Sequence, residues 1–212
     1  MSQPTFPTDY FRKQDESNDD HFYRTPRLVV HIDQGAIGAL TGQLAVLLPP
    51  GGAILDLMSS WRSHLPPTLK PSRVVGVGMN ADEMADNPQL TAHVVQNLNR
   101  SPVLPFAERE FDAAVCTVSV QYLTNPVAVF AEVGRVLKPG ARFVVSFSNR
   151  CFPSKAVNAW RTLNDQGHLA LVTRYFELAG GWTQITTWQK PGKAGLLGLA
   201  GDPLFVVWAQ RA

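Results

Sequence analysis

The sequence predicts an α/β domain, a three-layer sandwich around a mainly parallel seven-stranded sheet whose last strand is antiparallel. Three observations carry this. From about residue 25 to the end, apolar runs alternate with helical patterns, as strands joined by crossover helices do. The central runs, such as Ala53-Ile54-Leu55, are short and almost unbroken, which fits strands covered on both faces. Two late strands then close the chain as an appended hairpin.

The elements follow in order. "MSQPTFPTDYFRKQDESNDD" has no apolar core of a secretory signal, so residues 1–20 are expected to be a mobile polar tail and 21–212 the folded domain. A first helix is expected over 28–48, then strands at 53–57, 73–77, 92–96 and 113–116. In "NPVAVFAEVGRVLKPG", Asn125 suits an N-cap and Pro126 the first helical position. Val127, Phe130, Gly134 and Leu137 recur at helical spacing, and Pro139-Gly140 turns the chain into a strand at 142–147. Helices at 155–163 and 168–179 follow, the second stopped by Gly180-Gly181. The last strands are 183–188 and 204–209, and "QKPGKAGLLGLAGDP" between them reads as a flexible connection. No internal repeat is visible.

Composition narrows the function classes. Of 212 residues, 45% are hydrophobic and 17% charged, as in a globular domain with a sizeable core. A net charge of +2 gives no bulk attraction to nucleic acid or an anionic membrane. No apolar run approaches the roughly 20 residues of a membrane span. The two cysteines, Cys116 and Cys151, have neither metal spacing nor a disulfide framework, which fits a reducing cytoplasmic setting. The oligomeric state is not readable.

Five crossover-type strands with a terminal hairpin make the domain Rossmann-like. "FDAAVCTVSVQYLTNPVAVFAEVGRVLKPGARFVVSF", residues 111–147, then resembles the second half of class I S-adenosylmethionine-dependent methyltransferases of the type 11 small-molecule group. Phe111-Asp112, Gln121-Tyr122 and the Arg135–Gly140 run "RVLKPG" occupy that family's pattern positions, and Leu104-Pro105-Phe106 also fits. The resemblance covers about residues 28–210. It implies S-adenosylmethionine as cofactor, S-adenosylhomocysteine as product and a small-molecule methyl acceptor.

The first half departs from that pattern. The family's acid followed by G-x-G-x-G becomes Asp56 with Met58, Ser60 and Arg62 at the glycine places. "DLMSSW" marks a divergent subgroup, and its loop reads as rebuilt, with Ser59 and Ser60 at an expected strand-to-helix junction where N–H groups are free. Replacing glycines disfavours positive φ, and Pro66-Pro67 shortens the helix that should follow. The acid that grips the ribose is replaced by Gly78, with Asn80 as a neutral substitute; Asn97 stands where a third acid meets adenine, and Leu98 follows it. The cofactor-binding set implied is Asp56, Met58, Ser59, Ser60, Gly78, Asn80, Asn97 and Leu98.

Tyr122, after the fourth strand, and His31, near the first helix with Tyr23, Arg27 and Asp33, are the candidate catalytic groups, since a base is needed only for a protonated acceptor. Structural roles compete at each position. Ser59 and Ser60 suit caps as well as ligand contacts, Met58 and Trp61 suit packing, His64 suits the surface, and Tyr122 suits a half-buried structural tyrosine. The predicted function is methyl transfer to an unidentified small molecule. The rivals are a non-catalytic binding or assembly module and, more remotely, an α/β enzyme of another nucleotide.

Overall fold

The computed structural model describes residues 6–192 and 201–212. Its strands are β1 (Ala53–Leu57), β2 (Arg73–Gly78), β3 (Ala92–Val95), β4 (Phe111–Thr117), β5 (Leu137–Phe147), β6 (Trp182–Lys190) and β7 (Leu204–Arg211). They form one seven-stranded sheet in the order β3-β2-β1-β4-β5-β7-β6. β7 is antiparallel to both neighbours, and the other pairings are parallel. The expected Rossmann-like fold is the observed one.

Every residue of β1 is buried. Leu55 and Leu57 point into the layer of α4 (Pro126–Val136) and α6 (Asp165–Ala179), whereas Ile54 points into the layer of α2 (Gln34–Leu47). Burial on both faces is the reason its apolar run does not alternate. α4 begins as its sequence predicts, with Asn125 Oδ1 accepting from the Ala128 N–H and Pro126 opening the first turn. Gly140 and Gly180 both take positive φ, at +80° and +68°, the backbone shape for which glycine has no Cβ penalty.

Three helices start elsewhere than expected, each for a local reason. α2 begins at Gln34 rather than 28, because Asp33 caps the Ala36 N–H and the β-branched Val29, Val30 and Ile32 ahead of it favour extended chain. Residues 155–157 are drawn out of the helix expected over 155–163, since the Val157 N–H donates to Gln121 O and Lys13 bridges Val157; α5 is only Asn158–Thr162. α6 begins earlier, at Asp165, where Asn164 Oδ1 accepts from Gly167 N. The glycine-rich connection expected before β7 falls mostly at 193–200, outside the described residues.

The N-terminal segment differs most from expectation. From Phe6 onward, through the short helix α1 (Asp19–Phe22), it packs on the domain rather than trailing from it. Phe6, Tyr10 and Phe11 lie on the main core, with Phe6 edge-on to Tyr175 at 5.7 Å. Main-chain bonds from Asp15 N to Ser154 O and from Asn158 N to Arg12 O pin it further. Lys155, fully buried, is paired with Asp15 at 2.9 Å and Asp19 at 3.4 Å, and Lys13 Nζ meets Asp19 at 2.5 Å. A buried ammonium requires such partners. The sparse aromatics in a polar stretch, and a cation 140 residues away, are what hold it.

Between β1 and β2 the chain has no helix; residues 58–72 run as coil on the α2 face of the sheet. The strand-to-helix junction expected at Ser59-Ser60 is therefore absent, and with it the helix dipole. Among the described residues no helix is long and apolar enough to cross a membrane, and no cluster of metal-ligating side chains occurs.

Candidate functional site

The strand order reverses direction between β1 and β4, the place where open α/β sheets carry ligands at the carboxyl ends of their strands. A cleft lies there. Its walls come from the chain after β1 (Met58 to Ser60), the end of β2 (Val77 to Asn80), residues 96–99 after β3, residues 117–119 after β4, and Tyr122. The N-terminal segment crosses the opening with Asp19, Tyr23, Arg27 and 29–32, and Phe152 after β5 completes it. The eight cofactor-binding candidates and the two catalytic candidates, Tyr122 and His31, all line this cleft.

Their side chains are not equally available. Asp56 Oδ2 accepts from Ser59 Oγ at 2.7 Å and Ser63 Oγ at 2.6 Å. Complete burial pushes its carboxyl up to about 6, against the pull of those two hydroxyls. Ser59 has committed its N–H as well, to Val77 O at 2.8 Å. Ser60 Oγ donates to Glu83 Oε2 at 2.5 Å, and its carbonyl accepts from Asn87 Nδ2. Both serines thus stitch the loop to carboxylates of the chain.

Met58 adopts φ +56°, so the left-handed backbone persists at this glycine place despite a side chain. The turn keeps this shape although the substitution disfavours it. Close approach has moved to the neighbouring strand instead. A Cβ on Gly78 would lie 2.2 Å from Ser59 O, and one on Gly76 would lie 2.6 Å from Leu90 Cδ1 and 3.2 Å from Ser59. The loop sits flush on β2 because "GVG" gives it room, and no acid can occupy position 78 beneath it.

Asn80 caps α3 (Ala81–Ala85), with Oδ1 accepting from Glu83 N at 3.0 Å, while its amide donates to Tyr23 O and Arg24 O. It is buried and ties the N-terminal segment to β2. Asn97 donates to Asp20 and accepts from Asn99 N, and Leu98 is buried in the main core. The Tyr122 hydroxyl accepts from Phe152 N at 2.8 Å, and burial pushes its pKa to about 12. His31 stands edge-on to Phe152 at 5.4 Å, with desolvation holding its pKa below the ordinary histidine value. His64, expected at the surface, lines the cleft too, also with a lowered pKa through desolvation.

Sequence reasoning missed Glu83, Asp19 and Phe152. Glu83 is buried, and its carboxylate accepts from Arg27 N at 2.7 Å as well as from Ser60. The partners lie 56 and 23 residues away, so no spacing signalled them. Phe152 stacks with Tyr122 and meets Phe22 and His31; an aromatic after a fifth strand carries no motif.

Comparison with known proteins agrees with this architecture. Residues 62–145 match the family model described as a methyltransferase domain. Over 88 residues the chain is 31% identical to the biotin biosynthesis bifunctional protein BioHC of Teredinibacter turnerae, covering 42% of this chain but 15% of that one. Over 83 residues it is 35% identical to methyltransferase phqN of Penicillium fellutanum, covering 35% of this chain and 24% of that one. The matched region thus spans under a quarter of either relative's length. Among solved structures, a Thermotoga maritima S-adenosylmethionine-dependent methyltransferase, described as a possible histamine N-methyltransferase, superposes with a TM-score of 0.59 at 14% identity, covering 84% of this chain and 89% of that chain. Residues 62–145 thus match a methyltransferase domain, and the sheet has the fold of the S-adenosylmethionine-dependent methyltransferase structures on which it superposes.

Proposed function

We propose that the cleft binds S-adenosylmethionine and that the protein transfers its methyl group to a small-molecule acceptor. The observation supporting this most directly is the position of the cleft, at the strand-order switch of a methyltransferase sheet, with Met58, Val77, Met79 and Leu98 beside polar groups of the loops. Those apolar side chains suit the flat adenine ring, and the polar rim suits the ribose and methionyl ends. The cofactor supplies an electrophilic methyl on a sulfonium. The chain's own part is to hold an acceptor in line with it and to exclude water, a positioning effect that can be large.

The two catalytic candidates divide the proton work. Tyr122, with its pKa at about 12, keeps its proton at neutral pH and acts as a hydrogen-bond donor. His31, lowered by desolvation, is neutral there and can take the proton that a protonated acceptor releases. A cytoplasmic setting belongs to the same reading. Calorimetric titration with S-adenosylhomocysteine, together with its thermal shift, tests the proposal. Saturable binding is expected; no heat and no shift at millimolar ligand would leave the fold as a binding or assembly module.

A further inference from the structure

We propose that Glu83 is the cleft carboxylate that receives the ribose hydroxyls of the nucleoside, five residues along the chain from Gly78, where no acidic side chain fits. This rests on the cofactor reading above. Glu83 occupies the third position of α3, where a glutamate ordinarily reaches back to the N–H of its capping residue. Here the carboxylate turns away from that cap. It takes one hydrogen bond on each oxygen, from Arg27 N on Oε1 and from Ser60 Oγ on Oε2.

A carboxylate has about four acceptor sites, so two remain for donors in the cleft. The other cleft carboxylates are engaged differently. Asp19 is neutralised by Lys13 and Lys155 and also accepts from Asn99, and Asp56 is taken by two serine hydroxyls. Glu83 forms no ion pair among the described residues. An acceptor held in place, without an ion-pair partner and lining the cleft, suits a ligand that offers neighbouring hydroxyl donors.

The loop accounts for both halves of the exchange. Ser59 O fills the space that a side chain at 78 would need, and Ser60 Oγ holds Glu83 in its stead. The rebuilt turn therefore displaces one acid and orients another.

The test compares adenosine with 2′,3′-dideoxyadenosine as competitors of S-adenosylhomocysteine, in the wild-type chain, in Glu83→Gln and in Ser60→Ala. Wild type should prefer the diol at least roughly tenfold, because hydrogen bonds to a charged group are the stronger kind. Glu83→Gln keeps an acceptor for one neighbour, and it should collapse that preference while retaining a folded melting transition. Ser60→Ala should reduce it less, by about threefold, since the acid is then only misplaced. S-adenosylhomocysteine binding with an undiminished diol preference in Glu83→Gln overturns the assignment alone. Absence of S-adenosylhomocysteine binding to wild type overturns the cofactor reading and this assignment with it.

Discussion

The β4-α4-β5 unit and the β1-to-β2 connection share one sheet, yet different interactions shape them. α4 buries Val129, Phe130, Val133 and Val136 completely, all on one helical face, and its cap lies three residues from its partner. The coil after β1 is held by bonds that leap along the chain: Ser60 to Glu83, Asn87 to Ser63 Oγ, and Trp61 Nε1 to Asp86 at 2.6 Å. Burial at regular spacing makes the first region, whereas polar pairing and backbone contact make the second. The family pattern persists where burial sets the structure, and the departures gather where close approach does. A loop without glycines can thus lie close on a strand that carries them.

The largest expected effect breaks the second region at its tightest point. Gly78→Ala puts a Cβ 2.2 Å from a backbone oxygen, which forces the loop off β2 and should cost about 3 kcal/mol, the upper end of ordinary overpacking. Gly42→Ala, in α2 with open space around its Cβ, should instead stabilise by about 0.8 kcal/mol through helix propensity. Denaturant melts of both variants check the contrast. Similar effects from the two would mean that the loop does not rest on Gly78. Restoring an acid with Gly78→Asp is expected to damage the site for the same steric reason.

Asp56→Asn probes the cost of the buried carboxyl. Its folded pKa of about 6 lies above the unfolded value near 3.8, so its contribution favours the fold below pH 3.8 and fades as pH rises through about 6. The variant's oxygen can still accept from Ser59 and Ser63. It should be more stable than wild type by roughly 2–3 kcal/mol at pH 8 and lose that advantage towards pH 4. Melting curves at the two pH values decide it, and an equal gap at both would show that the carboxylate is not strained.

These contrasts also explain what the sequence revealed. The central strands β1, β2 and β4 were legible because two-sided burial writes continuous apolar runs, and α4 because its cap, proline and period agree. The positions of Asp56 and Tyr122 came from a family pattern anchored in those strands. Glu83's orientation was not legible, since it depends on Ser60 and on the main chain of Arg27. Nor was the anchored N-terminus, whose aromatics are few and whose lysine partner sits beyond β5.

Asn80→Ala removes a helix cap and leaves the Tyr23 and Arg24 carbonyls without the Asn80 amide as donor. A loss of about 2 kcal/mol is expected, the high end for a cap. Limited proteolysis should then find residues 21–33 more easily cut. A melting temperature unchanged from wild type would assign Asn80 to the ligand rather than to the fold.

Met58 gives the smallest and finest test, because two contributions oppose each other there. Its φ of +56° costs an L-residue about 1–2 kcal/mol relative to the right-handed region. Its side chain, partly buried against the main core, returns roughly 1 kcal/mol of apolar contact. Met58→Gly removes both, so its net change should be close to zero. Met58→Ala removes the contact and keeps the strain, and should fall below Met58→Gly by about 1 kcal/mol in urea melts. The difference between these two variants isolates the backbone from the packing, which neither does alone. Equal stability of the alanine and glycine forms would show that φ +56° costs nothing here, and the turn would then owe its shape entirely to the polar bonds of Ser59 and Ser60.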